Sequence, residues 1–200
     1  MSVSTLVAGF EDAAIDSQAA FRACMNALAR PASIHAFHTA LRPPAPLTAE
    51  LAALALTLAD HEAPLWLDEA LRAEPAVRSY LAFHTGAHFV DQPSDAAFAL
   101  ISNAAACPAL AAFAQGTDEY PDRSTTLLVA VDRLTSERDL VFTGPGIKDE
   151  AGLSVAPLLR DFQEQSAANR CLFPRGIDLV FVSAGYIAAL PRSSQITGEA

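Results

Sequence analysis

The stretch at 169–183, Asn-Arg-Cys-Leu-Phe-Pro-Arg-Gly-Ile-Asp-Leu-Val-Phe-Val-Ser, constrains the fold of this chain more than any other. Leu179, Val180, Phe181 and Val182 form an unbroken apolar run with β-branched and aromatic members, which suits a strand buried on both faces. Phe173-Pro174-Arg175-Gly176, just before it, forms no regular element: Pro174 has no N–H for a ladder and Gly176 can adopt a positive φ. A rigid, charged turn therefore leads into Asp178 and a central strand. Upstream, Leu140-Val141-Phe142 runs into Thr143-Gly144-Pro145-Gly146-Ile147 in the same manner. Two buried strands, each with a Gly/Pro loop at one end, are expected to anchor the sheet.

The rest of the chain supplies elements around that sheet. Asp16 or Ser17 caps an expected helix to Ala29, with Phe21, Cys24, Met25 and Leu28 as its apolar stripe and Pro31 as its stop. Residues 33–39 alternate as a strand, and 42–46 are held extended by three prolines. A helix capped by Thr48 runs to Asp60, a short strand covers 65–67, and a helix starting at Pro75 ends at His84 with Gly86 as its C-cap. Strand 97–102 and a short helix at 108–114 follow. Strand 125–131 is expected to turn through 132–138 into 139–143 as a hairpin, and a helix to cover 154–169 with Pro157 near its start. Ala184-Gly185 joins the central strand to 186–190 as a closing hairpin, and the polar tail past Pro191-Arg192 lies beyond the ordered part. Alternating helices and strands predict an α/β, three-layer α/β/α domain around a mixed sheet. With 200 residues, 52% of them hydrophobic, and no linker, the chain reads as a single domain, 1–200, whose core needs no staples.

Composition excludes several functions. Cys24, Cys107 and Cys171 are odd in number and share no Cys-x-x-Cys spacing. That argues against a disulfide framework, an iron–sulfur cluster or a cysteine-rich zinc site, and fits a reducing cytoplasm. The first ten residues carry no basic region before Glu11 and Asp12, so no signal peptide is expected, and no apolar run approaches the roughly 20 residues of a membrane helix. A net charge of −10 with one lysine, Lys148, would repel nucleic acid. Any anionic ligand must be met by a few local arginines, and protein partners suit the composition better.

Residues with chemical potential are few. His84 and His88 are separated by Gly86, and His61-Glu62 lacks the second histidine of a zinc-protease helix, so no metal site is expected. Gly144-Pro145-Gly146 has neither phosphate-loop spacing, and Pro145 removes a donor such a loop uses, leaving a structural turn. No Gly-x-Ser-x-Gly elbow exists. Arg175 lies in the turn before Asp178, Arg192 follows the closing strand, and Arg22 lies beside the first apolar stripe. Together with His84 and Asp178 they make up a candidate ligand or anion patch of five residues. Trp66 fits a partner pocket and the core equally well. A pyridoxal phosphate Schiff base needs a desolvated lysine, and Lys148 is followed by Asp149 and Glu150, so no such cofactor is expected.

These residues also carry a resemblance. Phe21-Arg22-x-x-Met25, Arg30-Pro31, Leu58-Ala59-Asp60 running to Pro64-Leu65-Trp66-Leu67, Phe83-His84-Thr85-Gly86, the Thr143–Ile147 loop, Phe173-Pro174-x-Gly176-Ile177-Asp178 and Leu190-Pro191-Arg192 resemble the PhnH family of the carbon–phosphorus lyase system, in order and over nearly the whole length. Ala32 and Ala63 depart from its usual Gly and Thr. The resemblance implies a fold like that of the pyridoxal-phosphate-dependent transferases without the cofactor site. It implies an auxiliary subunit that works with PhnG, PhnI and PhnL to form ribose 1-phosphonate 5-triphosphate from ATP and an alkylphosphonate, in a core assembly that includes the radical enzyme PhnJ. It also implies a homodimer in isolation. The alternative reading is a free-standing enzyme on a small anionic metabolite, with His84 as acid or base and the arginines as anion clamp.

Overall fold

The computed structural model describes residues 7–199, so the expectation about the extreme N-terminus falls mostly outside the described residues. Thr126–Ala130 (β4) and Asp178–Ser183 (β7) lie side by side and parallel, from Thr126 opposite Asp178 to Ala130 opposite Val182. Phe98–Ile101 (β3) and then Leu65–Leu67 (β2) extend the parallel set beyond β4. On the other side Tyr186–Leu190 (β8) returns antiparallel to β7, and His35–Ala36 (β1) closes the edge. The six strands thus stand in the order β1-β8-β7-β4-β3-β2, a mixed sheet.

Strand alternation divides the apolar residues between two cores. Leu128, Ala130, Val180, Val182, Ile187 and Ala189 face one side. That side is covered by Ala13–Ala29 (α1), Ala49–Leu58 (α2), Glu69–Arg72 (α3) and Pro75–Thr85 (α4). Leu127, Val129, Leu179, Phe181, Ala188 and Leu190 face the other. There the cover is a second sheet of Arg133–Thr143 (β5), Ala151–Ala156 (β6) and Gln195–Glu199 (β9), in the order β6-β5-β9, together with Phe162–Cys171 (α5). The α/β class and mixed sheet agree with the sequence reading. The third layer differs, being a small antiparallel sheet with one helix rather than a helical layer.

That second sheet accounts for most of the differences. β4 has parallel neighbours on both sides and forms no hairpin with 139–143. The chain leaves it at Asp132 and changes sheets, and 133–138, charged and mostly exposed, continue as strand rather than turn. Leu140–Phe142 and the 179–182 run therefore belong to different sheets. The expected helix at 154–169 begins only at Phe162, because residues ahead of Pro157 are biased towards extended backbone and pair as β6. The polar tail is no tail: Gln195–Glu199 pairs with β5. The strand expected at 33–39 shrinks to two residues, and the helix at 108–114 to one 3-10 turn, Leu110–Ala112. On α1 the buried line is Ala20, Cys24 and Ala27, whereas Phe21 and Met25 are 49% and 47% exposed. Small residues let α1 lie close to its neighbours, which leaves the bulky side chains outside the contact.

The turn ahead of β7 has a specific clasp. Asn169, buried near the end of α5, donates from Nδ2 to the Ile177 carbonyl at 2.9 Å and accepts the Ile177 N–H on Oδ1 at 2.8 Å. One side chain thus satisfies both polar groups of a buried residue. Gly176, at φ 110°, lies so near that an added Cβ would be 2.7 Å from Asn169 Oδ1. Among the described residues no helix is long and apolar enough to cross a membrane.

Gly176→Ala is expected to lower unfolding free energy by at least about 1–3 kcal/mol from backbone strain alone, read by urea denaturation. Asn169→Ala, which strands the Ile177 N–H and C=O, is expected to cost about 1–3 kcal/mol for each group left without a partner.

Candidate functional site

Two of the candidate residues meet where the parallel strands begin. Asp178 opens β7, and Arg192 follows β8, whose end lies beside that opening because the pair is antiparallel. The Arg192 guanidinium embraces the Asp178 carboxylate, Nε to Oδ1 at 3.1 Å and Nη2 to Oδ2 at 2.6 Å, and the Arg192 backbone N–H donates to Oδ1 at 2.8 Å. Nη2 also donates to Ser124 Oγ at 2.6 Å and Nη1 to the Pro121 carbonyl at 2.7 Å, with the Pro174 carbonyl at 3.5 Å. Every nitrogen of the fork has an acceptor. The pair is largely sheltered, with side chains 14% and 21% exposed. Arg192 therefore fastens β7, β8 and the loops at 121–124 and 173–176 together, and its charge is already answered by Asp178.

The other candidates lie apart from this cluster. Arg175 pairs at 3.1 Å with Asp118, whose side chain is 87% exposed, a contact of little energetic weight. Arg22 is exposed on α1 and lines a recess of about 410 Å³ with Asn26 and His35. Burial first, and then the Arg30 charge, hold the His35 pKa below the ordinary histidine value. His84, in the last turn of α4, has its Nε2 at 3.0 Å from the Val7 carbonyl. Its ring meets Tyr80 and Phe83 edge-on with centroids at 4.6 and 5.0 Å, and an added Cβ on Gly9 would approach the ring to 2.8 Å. Among the described residues neither Arg22 nor His84 shares a hydrogen bond or ion pair with the Arg192 cluster. The five do not form one patch.

Trp66 requires a correction. It is 8% exposed and packs edge-to-face on Phe113 at 5.6 Å, inside the core on the second face of the sheet. β2 is buried on both faces, so this indole fills the interior and anchors no partner on the free chain's surface. The Gly144–Gly146 loop is also occupied structurally, since a Cβ on Gly146 would come within 2.5 Å of the Ala29 carbonyl at the end of α1. Lys148 is exposed beside Asp149 and Glu150, which does not fit a Schiff-base lysine. Among the described residues no cluster of three His, Cys, Asp or Glu side chains is placed to hold a metal ion.

The carboxyl ends of the parallel strands, where open α/β sheets bind ligands, hold a residue the sequence reading missed. Asp68 directly follows β2 and is buried. Its Oδ1 accepts the Leu71 N–H at 2.9 Å, capping α3, and Oδ2 accepts Ser102 N–H, Ser102 Oγ–H and Asn103 N–H at 2.7, 2.8 and 3.2 Å. Its signal was an aspartate between an apolar strand and a helical segment. The carboxylate is saturated by the fold. The parallel strands also follow one another in chain order, β2, β3, β4, β7, so no reversal of order opens the crevice in which such sheets seat nucleotides. Nearby, burial and then the Asp68 charge push the Cys107 thiol up to about 12, and burial pushes Cys24 to about 11.

Comparison of the sequence with known proteins places this chain among relatives. The family described as bacterial phosphonate metabolism protein (PhnH) matches residues 8–197. A protein of Rhizobium meliloti (strain 1021) named alpha-D-ribose 1-methylphosphonate 5-triphosphate synthase subunit PhnH is 44% identical over 192 residues, covering 95% of this chain and 94% of that protein. A Stutzerimonas stutzeri protein named "Putative C-P lyase subunit protein HtxG" is 35% identical over 81 residues, 40% of this chain and 42% of that one.

Removing Arg192 leaves Asp178 sheltered and unpaired, so Arg192→Leu is expected to cost about 3–5 kcal/mol in a denaturation experiment. Lysine, lacking the fork, is expected to recover only part of that loss. Trp66→Ala is expected to lower stability by about 3–5 kcal/mol, as a core truncation does.

Proposed function

This chain belongs to the PhnH family, and from that premise we propose that it is an auxiliary subunit of the machinery that makes ribose 1-phosphonate 5-triphosphate from ATP and an alkylphosphonate. The observation that carries the reading is the end-to-end likeness to the Rhizobium meliloti synthase subunit. The site geometry supports the auxiliary role. The best-placed charges, Arg192 and Asp178, are engaged with each other and Asp68 is saturated by donors of the fold, while the hydroxyls beside them, Ser124 and Ser102, serve as hydrogen-bond partners of that fastening and burial keeps the nearby Cys107 thiol protonated. A chain so arranged contributes by binding companions and by shaping a shared site, with bond-making groups supplied by other subunits.

On this reading its companions are PhnG, PhnI and PhnL in the ribosyl step and PhnJ in the core assembly, and the isolated chain forms a homodimer. It works in the cytoplasm, in keeping with its free cysteines. It acts as one unit over 1–200, with an architecture akin to the pyridoxal-phosphate-dependent transferases but without their lysine chemistry.

The purified chain incubated with ATP and methylphosphonate is expected to release no adenine, and addition of PhnG, PhnI and PhnL is expected to restore release. Adenine release by this chain alone at the rate of the reconstituted mixture would overturn the proposal.

A further inference from the structure

A recess of about 830 Å³ opens between α5 and β9, with Ser166, Arg170, Cys171, Phe173 and Gln195 on its walls and Glu164 also lining it. Arg170 is its distinctive member. Its guanidinium lies over the Phe173 ring at 5.1 Å, and its buried Nε has no hydrogen-bond partner. Only Arg138, Arg175 and Arg192 meet a carboxylate among the described residues, and of the arginines that meet none, Arg170 is the one whose Nε is buried without a hydrogen-bond partner there. In a chain with 23 acidic and 13 basic residues, carboxylates to neutralise an arginine are abundant. The buried Nε–H, left without an acceptor among the described residues, is a costly arrangement unless something else supplies an oxygen.

We propose that this recess is an oxyanion site in which Arg170 receives the phosphonate or phosphate group of a small organic ligand. The planar fork of arginine matches two oxygens of such a group, and stacking on Phe173 fixes the plane before the ligand arrives. Ser166 lies one turn before Arg170 on the same face of α5, so its hydroxyl, with the Gln195 amide from β9, adds donors beside the guanidinium. Phe173, about half exposed, and Ile196 offer an apolar surface to the rest of the ligand. Glu164 opposes anions of high charge, which favours a single phosphonyl or phosphoryl group. The inference rests on the proposed function only for the choice of probes.

Cys171 provides the readout. It is exposed and lines the recess, while the raised pKa values of Cys24 and Cys107 keep those thiols protonated and slow to react at about pH 8. Alkylation of Cys171 by iodoacetamide, followed by peptide mass spectrometry, is expected to slow several-fold with millimolar methylphosphonate or inorganic phosphate, less with the more highly charged ATP, and to be unaffected by sodium chloride of equal ionic strength. The probe that protects at the lowest concentration identifies the source of the group. Arg170→Gln is expected to abolish protection, and so is Ser166→Glu, which sets a carboxylate in the recess without removing a packed side chain. Absence of protection in the wild-type chain, or equal protection in both variants, would overturn the site. Protection without companion-dependent adenine release would uphold the site and remove the assembly reading; the reverse would remove the site alone.

Discussion

The structure depends on how the chain enters its central strand. β7 is buried on both faces and must be met by a turn that satisfies its own backbone, and the clasp of Asn169 on Ile177 does this with one amide. The same turn is tied from the other side by Arg192, which reaches Asp178, Ser124 and the carbonyls of Pro121 and Pro174. Two polar side chains thus hold α5, β7, β8 and the loop before β4 together at one end of the sheet's strands. Both cores depend on that end, because β7 contributes Val180 and Val182 to one and Leu179 and Phe181 to the other.

Much of this was legible in the sequence because it rests on local chemistry. The apolar run at 179–182, the Pro/Gly turn before it, the Pro75 start and Gly86 stop of α4 and the Ala184-Gly185 connection all follow from backbone geometry. The second sheet was not legible. Its strands are half-exposed, β5 carries charges over 137–139, and β6 ends at a proline that also suits the start of a helix. Pairing of β5 with β9 joins residues more than fifty positions apart, and no local pattern reports such a contact. Trp66 illustrates the same limit from the other direction: the residue that suits a partner pocket suits a core equally, and the partner it found is Phe113.

The candidate patch was half legible. Arg192 and Asp178 stand beside strand ends, as their sequence positions suggest, and they meet, their bidentate pairing serving as a fastening of the fold. Arg170 escaped notice because an arginine on a polar helix looks like a solvated charge. Its distinction is a buried Nε without a hydrogen-bond partner among the described residues, on a guanidinium stacked over Phe173, and only the folded arrangement shows that.

The central claim is that the charges at the start of β7 hold the fold together and take no part in substrate chemistry. It is tested most directly by replacing both at once, Arg192→Met with Asp178→Asn, so that no charge is left stranded and the carbonyl acceptor for the Arg192 backbone N–H is kept. Adenine release by the complex reconstituted with this folded double variant is the measurement. The account predicts a rate close to that of the wild-type complex, and a well-folded, fully assembled double variant that releases no adenine would contradict it.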